Sequence, residues 1–190
     1  MVQTPIAPTT SVTLEAFLEM PETKPASEYI DGQILQKPMP QGEHSTLQRD
    51  LLFKIDSEFK PNNIARAFPE LRCKFGNKVL VPDISVFRCE RIPRQENGRI
   101  ANVFEIAPNW TIEILSPKQG QGKVTDKILH CLDHGCEMGW LIDPEESKVI
   151  AYPHNDRPRS FTDPAAILPV PTWAAALQLS VGELFDWLTA

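Results

Sequence analysis

Apolar residues recur at helical spacing in two stretches of the chain. In residues 43–59 they fall on every fourth position, which predicts a helix with one apolar face. A second helix is predicted over residues 123–134, because Gly135 follows it at a position where a left-handed helix end is common. The apolar positions of the first helix are Leu47, Leu51, Ile55 and Phe59.

Short apolar runs between turn residues predict strands. Asp31-Gly32 and Gly76-Asn77 suit tight hairpin turns, so each is expected to join two strands. The predicted order is helix, three strands, helix and strand, which is the mixture of elements of an α/β (α+β) fold. A terminal helix is predicted over residues 180–188, after an irregular, proline-rich segment. The predicted strands cover residues 63–68, 70–75, 78–87, 110–115, 138–142 and 148–152.

The composition agrees with one folded domain. The 190 residues are 42% hydrophobic and 23% charged, which is typical of a globular protein with one core. We expect a flexible N-terminal segment over residues 1–12 and a single domain over residues 13–190. The sequence has neither an apolar run long enough to span a membrane nor a secretion signal. A cytoplasmic protein with four reduced cysteines is therefore expected.

The distribution of charge bears on nucleic-acid binding. The formal net charge of −6 argues against a protein that binds nucleic acid through bulk positive charge. Residues 66–99, however, hold eight basic and four acidic side chains. This segment, which includes Arg72 and Lys74, is a candidate surface for DNA phosphates. A solvated hairpin that keeps the protein soluble would have the same composition.

Two predicted strands carry a carboxylate among apolar neighbours. Asp83 shares a strand face with Val81 and Phe87, and Glu113 lies within the apolar strand predicted over residues 110–115. A buried carboxylate costs roughly several kcal/mol unless it is paired or coordinated. Two of them on adjacent strands would repel each other, and a divalent cation would hold both ionised. Mg²⁺ (or Mn²⁺) suits such a site because it accepts one or two carboxylates and keeps water ligands.

The residues around these acids resemble a known group of nucleases. Val81-Pro82-Asp83, followed thirty residues later by Glu113, is similar to the metal-binding signature of the PD-(D/E)xK nuclease superfamily. One branch, the Uma-type restriction endonucleases of cyanobacteria (a domain formerly of unknown function), shares further motifs with this chain. The resemblance implies a restriction-endonuclease-like core of order αβββαβ with a mixed central sheet, a divalent metal on both acids, and DNA as substrate. The shared motifs are SEYIDGQI, His44-Ser45, VPDISVF, IEILSP and GWLIDP.

One position departs from the superfamily pattern. Leu115 stands where the superfamily usually has a lysine that orients or deprotonates the attacking water. The resemblance implies a lysine on the following helix instead, and Lys127 lies within the apolar stripe of that helix, where its ammonium can approach carboxylates. The alternative is a lysine at the flank that extends into solvent. Lys118 and Lys123 are competing candidates for the same role.

The resemblance assigns two further site residues. Glu28 corresponds to an acidic residue that helps to hold metal or water. His44 corresponds to a histidine at the start of the long helix that contacts phosphate. Without the resemblance, Glu28 would be interpreted as a surface glutamate and His44 as a structural residue.

A zinc site is a weaker possibility on the second predicted helix. His130 and His134 stand four residues apart, with Cys131 and Cys136 close by. The pattern lacks the glutamate of the HExxH motif, and no second pair of ligands is near in sequence. The spacing therefore favours ordinary core and helix residues.

These observations favour a metal-dependent endonuclease that hydrolyses DNA and forms a homodimer, as nucleases that cut two strands often do. A nuclease-fold protein that binds nucleic acid or a protein partner without cleavage is the alternative, favoured by the displaced lysine and the acidic net charge. In a third hypothesis the carboxylates hold a purely structural ion. The predicted catalytic residues are Asp83, Glu113, Lys127 and Glu28, and the predicted DNA-binding residues are His44, Arg72 and Lys74.

Overall fold

Across residues 11–117 and 119–189, which the computed structural model describes, the chain forms two β-sheets and four α-helices. The helices are α1 (Leu14–Glu19), α2 (Gly42–Phe59), α3 (Gln121–Asp133) and α4 (Val181–Asp186). The strands are β1 (Ser27–Ile30), β2 (Gln33–Gln36), β3 (Ala65–Pro69), β4 (Cys73–Phe75), β5 (Lys78–Leu80), β6 (Ile84–Arg88), β7 (Trp110–Ile114), β8 (Met138–Asp143), β9 (Lys148–Pro153) and β10 (Arg159–Phe161).

The larger sheet is mixed and has the strand order β10-β9-β8-β7-β6-β3. β7 and β8 are parallel and are joined by α3, whereas the other neighbouring strands are antiparallel. Along the chain, α2, β3, β6, β7, α3 and β8 follow one another in the order αβββαβ, with β4 and β5 diverted to a smaller sheet of order β2-β1-β5-β4. The predicted fold class is confirmed.

Helices cover both faces of the larger sheet. The apolar stripe of α2 is fully buried in one cluster with Ile112 and Trp140. α3 packs on the opposite face, where Ile128 lies so close to β8 that a Cβ on Gly139 would come within 2.2 Å of the Ile128 Cγ2. Because α2 and α3 lie on opposite sides of β7, side chains from both helices can reach the end of that strand.

The segment predicted as one strand over residues 78–87 is two strands in different sheets. β5 ends at Leu80 and β6 begins at Ile84, so Val81-Pro82-Asp83 carries the chain from the smaller sheet to the larger one. Proline has no N–H to donate to a neighbouring strand, which explains why regular pairing stops here. The prediction of a continuous strand is wrong at these three residues, and the break places Asp83 at the junction of the two sheets.

Both predicted hairpin turns have a left-handed backbone. The φ angles are 49° at Asp31 and 81° at Gly32, and 54° at Gly76 and 58° at Asn77. Positive φ at both central residues is the conformation that a type I′ turn requires. The first turn joins β1 to β2, the hairpin that carries Glu28.

The two ends of the chain differ in how far the predictions hold. The proline-rich segment near the C-terminus contains β10, which was not predicted, and α4 begins after Ser180, whose Oγ accepts the N–H of Glu183 at 3.1 Å. Most of the predicted flexible segment, residues 1–10, lies outside the described residues. Val12, near the end of that predicted segment, donates its N–H to the carbonyl of Gly32 at 3.0 Å.

Among the described helices, none is both long and apolar enough to cross a membrane.

Candidate active site

Asp83 and Glu113 face each other at the ends of two neighbouring antiparallel strands. Ile84 of β6 pairs with Ile112 of β7, so Asp83 lies across from Glu113 at the next position. Glu113 contacts Lys127 of α3, whereas Asp83 contacts His44 of α2. Asp83 and Glu113 are 2% and 3% exposed, so water contributes little to their solvation.

The carboxylate of Asp83 is held by donors from three elements. Its Oδ1 accepts a hydrogen bond from Lys37 Nζ at 2.6 Å, and its Oδ2 accepts the backbone N–H of Ile114 at 2.7 Å. The Nε2 of His44, in the first turn of α2, lies 3.3 Å from Oδ2. Burial alone would raise the pKa of Asp83, but the Lys37 ammonium and the His44 ring outweigh it and hold the pKa well below its usual range.

Lys37 is the functional candidate that the sequence analysis missed. It follows β2 directly, and its Nζ also donates to the carbonyl of Val81 at 2.7 Å. Burial would lower the pKa of Lys37, but nearby Asp83 and Glu113 raise it overall. No sequence signal indicated this role, because a lysine between a polar strand and Pro38 has the appearance of a surface residue.

Lys127 forms the second half of the site. Its Nζ lies 3.0 and 3.1 Å from the two carboxylate oxygens of Glu28 and 2.9 Å from Glu113 Oε1. Glu28 Oε1 also accepts the backbone N–H of Val81 at 2.8 Å. Glu28 lies in β1 of the smaller sheet, so Lys127 connects carboxylates from both sheets.

Asp83, Glu113, Glu28, Lys37 and Lys127 form a carboxylate–lysine cluster, in which three acids face two ammonium groups. One carboxylate is therefore in excess. Burial raises the pKa of Glu113 to about 7, and the neighbouring Asp83 adds to the increase, while Lys127 opposes it. Burial would lower the pKa of Lys127, yet Glu113 and Glu28 together raise it, so its ammonium stays charged at neutral pH. Of Asp83 and Glu113, Glu113 therefore takes up a proton more readily, and Lys127 acts as a cation beside it.

Cavities open on two sides of the carboxylates. A small one of about 10 Å³, room for about one water molecule, is lined by Asp83, Glu113, Lys37 and His44. A cavity of about 420 Å³ adjoins it at the start of α2 and is also lined by His44. Another, of about 480 Å³, lies beside β2 and α3 and is lined by Lys37, Lys127 and Glu28.

The donor set fits a hard divalent cation. Mg²⁺ binds oxygen ligands and is commonly held by one or two protein carboxylates, with water completing the shell. Asp83 and Glu113 provide that pair beside a cavity of water size. In residues 11–117 and 119–189, no set of three or more His, Cys, Asp or Glu side chains forms a metal-binding group.

The remaining residues predicted for the site lie elsewhere or are paired. Lys74 Nζ lies 2.7 Å from Glu105, and the Arg72 guanidinium is 3.5 Å from Glu22, so both contact acids away from the cavities beside Asp83. Lys123, a competitor of Lys127, lines the 480 Å³ cavity but is exposed. The other competitor, Lys118, lies outside the described residues.

The histidines and cysteines considered for zinc have other contacts. His130 stacks on Phe75 with ring centroids 5.2 Å apart, and His134 Nδ1 lies 2.8 Å from the His130 carbonyl. Cys131 and Cys136 are buried free thiols, and burial raises the pKa of Cys136 to about 12. These contacts are those of ordinary core and helix residues, as the spacing of the histidines and cysteines indicates.

Comparisons with known proteins identify the family of this chain. Residues 14–182 match the family described as "Uma2: Putative restriction endonuclease". The crystal structure of a "putative nuclease belonging to DUF820" from Anabaena variabilis is similar with a TM-score of 0.92 and 59% sequence identity, covering 93% of this chain and 99% of that chain. A comparison with curated proteins gives no match. The family match spans both sheets and every residue of the carboxylate–lysine cluster, so the chain belongs to the Uma2 family.

Proposed function

We propose that this protein is an endonuclease that hydrolyses phosphodiester bonds in DNA and depends on Mg²⁺ or Mn²⁺. One observation supports this function most strongly: two buried carboxylates, Asp83 and Glu113, face each other beside a water-sized cavity, with the buried Lys127 ammonium 2.9 Å from one of them. The family match and the similar nuclease from Anabaena variabilis support the same reaction class.

Asp83 and Glu113 would hold the cation. When bound, it would polarise the scissile phosphate and lower the pKa of a water molecule. Lys127 would contribute positive charge that stabilises the developing negative charge on the phosphate. Glu113 and Glu28 raise the pKa of Lys127, which favours this role over that of a general base. Glu28 would act through Lys127, which it holds with both carboxylate oxygens.

The larger cavities offer space for the substrate on both sides of the carboxylates. His44 lies at the boundary of the 420 Å³ cavity and would contact a phosphate entering there. Arg72 and Lys74 would contact DNA only if it extended beyond the cavities and if they exchanged their present acidic partners for phosphates. A homodimer would place one such site on each strand of the DNA duplex. Light scattering of the purified protein tests this oligomeric state by measuring the mass.

Nicking of supercoiled plasmid tests the proposed function. We expect Mg²⁺-dependent nicking by the wild type, inhibition by EDTA, and a loss of at least about a hundredfold in Asp83→Asn, the scale on which positioned electrostatic groups act. Asp163→Asn is a matched control, because Asp163 is exposed, lines none of the three cavities described above, and accepts the N–H of Ala165 at 3.0 Å. Equal nicking by Asp83→Asn, with its fold verified by circular dichroism, would contradict the proposal.

A nuclease-fold protein that binds without cleavage is the second candidate. The observation that favours it is charge balance: Lys37 and Lys127 already neutralise two of the three buried carboxylates, so the cluster is not obliged to hold a metal. Leu115 also stands in place of the superfamily lysine. DNA binding by the wild type without Mg²⁺-dependent nicking would support this function instead of cleavage.

A further inference from the structure

Lys37 is held in place at both ends. Its backbone N–H donates to the carbonyl of Ala26 at 2.9 Å, which fixes the start of the side chain beside β1. Its Nζ donates to Asp83 Oδ1 at 2.6 Å and to the carbonyl of Val81 at 2.7 Å. Only 9% of the side chain is exposed, so the ammonium depends on these two acceptors for its solvation.

The oxygen that Lys37 contacts is the one best able to bind a cation. Asp83 Oδ2 already accepts the N–H of Ile114 and lies 3.3 Å from His44, both of which are buried. Asp83 lines the water-sized cavity together with Glu113, so a cation there would lie beside its carboxylate. Among the described residues, the Lys37 ammonium is the donor recorded on Oδ1.

A divalent cation and the Lys37 ammonium compete for this position. Mg²⁺ lies about 2.1 Å from its oxygen ligands, so a cation on Oδ1 would come within roughly 4 Å of an ammonium 2.6 Å from the same atom. Like charges at that separation repel strongly where water is excluded. Binding of the cation to Oδ1 would therefore favour a Lys37 ammonium that has moved away from this carboxylate.

The cavities beside Lys37 leave room for its ammonium group to move. Lys37 lines the 480 Å³ cavity as well as the water-sized one, so a rotation of its side chain would move the ammonium toward open space without moving the backbone. Lys127 differs, because it is held by Glu28 and Glu113 rather than Asp83. The two lysines are thus separable in their contacts.

We propose that Lys37 occupies the place of the divalent cation at Asp83 in the metal-free protein and must leave that carboxylate before the metal binds. This rests on the proposed function only in that Asp83 is a metal ligand. The exchange keeps Asp83 ionised and oriented in the absence of metal, and it lowers the apparent affinity for metal, because binding includes the cost of breaking the Lys37 contacts.

A titration of the full chain with Mn²⁺, in the absence of DNA, tests this exchange. Free Mn²⁺ is measured by electron paramagnetic resonance for the wild type, Lys37→Met and Lys37→Gln. Glutamine retains a donor for Asp83 and Val81 without the charge, so it guards against a folding defect in the methionine variant. Lys54→Met is the matched control, since Lys54 pairs with Glu183 at the surface.

Both Lys37 variants should bind Mn²⁺ about tenfold or more tightly than the wild type, the scale on which outer-sphere groups change metal affinity, and Lys54→Met should match the wild type. Metal-free Lys37→Met should also unfold at a lower temperature, and saturating Mn²⁺ should remove that difference. Equal or weaker binding by both variants, or no binding by any protein at millimolar Mn²⁺, would overturn the exchange.

Failure of the proposed function has a different signature. A wild type that binds Mn²⁺ but does not nick plasmid would overturn cleavage while the affinity difference between the wild type and the Lys37 variants still supports the exchange. Binding by the Lys37 variants alone, with none by the wild type, would support the exchange most directly, because the lysine would then be what prevents binding.

Discussion

Lys127→Met should destabilise the metal-free protein by several kcal/mol, because Lys127 is the shared partner of two buried carboxylates. Its Nζ lies 3.0 Å from Glu28 Oε1 and 2.9 Å from Glu113 Oε1. Methionine would fill a similar apolar volume on α3 but would leave both acids without their ammonium. Removing one partner of a buried ion pair costs about 3–5 kcal/mol. Proton uptake by Glu113, whose pKa is already raised to about 7, would reduce this cost at low pH.

A second substitution separates the charge effect from packing. Glu28→Gln keeps an oxygen that can accept the N–H of Val81, which Glu28 Oε1 now accepts at 2.8 Å, but it removes one negative charge. In the Lys127→Met background it should restore about 1–3 kcal/mol, the range of coupling between residues in contact. In the wild-type background Glu28→Gln should instead destabilise, because Lys127 loses a partner.

Urea denaturation of the metal-free proteins at neutral pH measures these free energies of unfolding. Lys54→Met is the control, because the Lys54–Glu183 pair is 37% and 42% exposed and such a surface pair contributes about 0–1 kcal/mol. A value for Lys127→Met within that same range of about 1 kcal/mol would refute the reasoning. It would mean that the buried carboxylates are stabilised without the lysine.

Two further predictions concern pH and packing. The pKa of Glu113 is about 7 in the folded protein and 4.5 ordinarily, so ionisation of Glu113 favours unfolding. As the pH rises from about 5 to about 8, the metal-free wild type should therefore lose up to about 3 kcal/mol of unfolding free energy relative to Glu113→Gln. Parallel stability curves for the two proteins would contradict this. Gly139→Ala should destabilise by about 1–3 kcal/mol, because its Cβ would come within 2.2 Å of Ile128 Cγ2. Gly122→Ala, where nothing lies within 4 Å of the added Cβ, should be no less stable than the wild type in thermal denaturation.

The sequence predicted the elements that local chemistry determines. Apolar residues spaced four positions apart predicted the start of α2 to within one residue. The Asp31-Gly32 pair forms the tight turn that its residue types favour. The apolar stripe on α3, together with the family resemblance, also predicted that Lys127 approaches carboxylates, and the residue is 7% exposed. The stripe alone left open a lysine at the flank that extends into solvent. These signals are local, so they are visible in a single sequence.

The parts of the site that the sequence could not predict depend on long-range contacts. Lys37 and Asp83 are 46 residues apart, and their meeting depends on how the β1–β2 hairpin packs beside the junction of the two sheets. The sequence analysis invoked a metal to offset the repulsion between Asp83 and Glu113. In the structure two lysines from other elements already neutralise these acids, and no periodicity in β2 marked Lys37 as one of them. The break at Pro82 likewise required knowledge of both sheets.

Two backbone amides that donate to the carboxylate–lysine cluster allow the charge of Glu28 and that of Asp83 to be observed separately. The N–H of Val81 donates to Glu28 Oε1 at 2.8 Å, and the N–H of Ile114 donates to Asp83 Oδ2 at 2.7 Å. A hydrogen-bonded amide exchanges its proton with deuterated solvent only when the bond opens, and its NMR frequency responds to the charge of its acceptor. The amide resonance of Val81 would therefore report changes at Glu28 and its partner Lys127. The amide resonance of Ile114 would report changes at Asp83 and its partner Lys37. Neither measurement requires a label on the side chains.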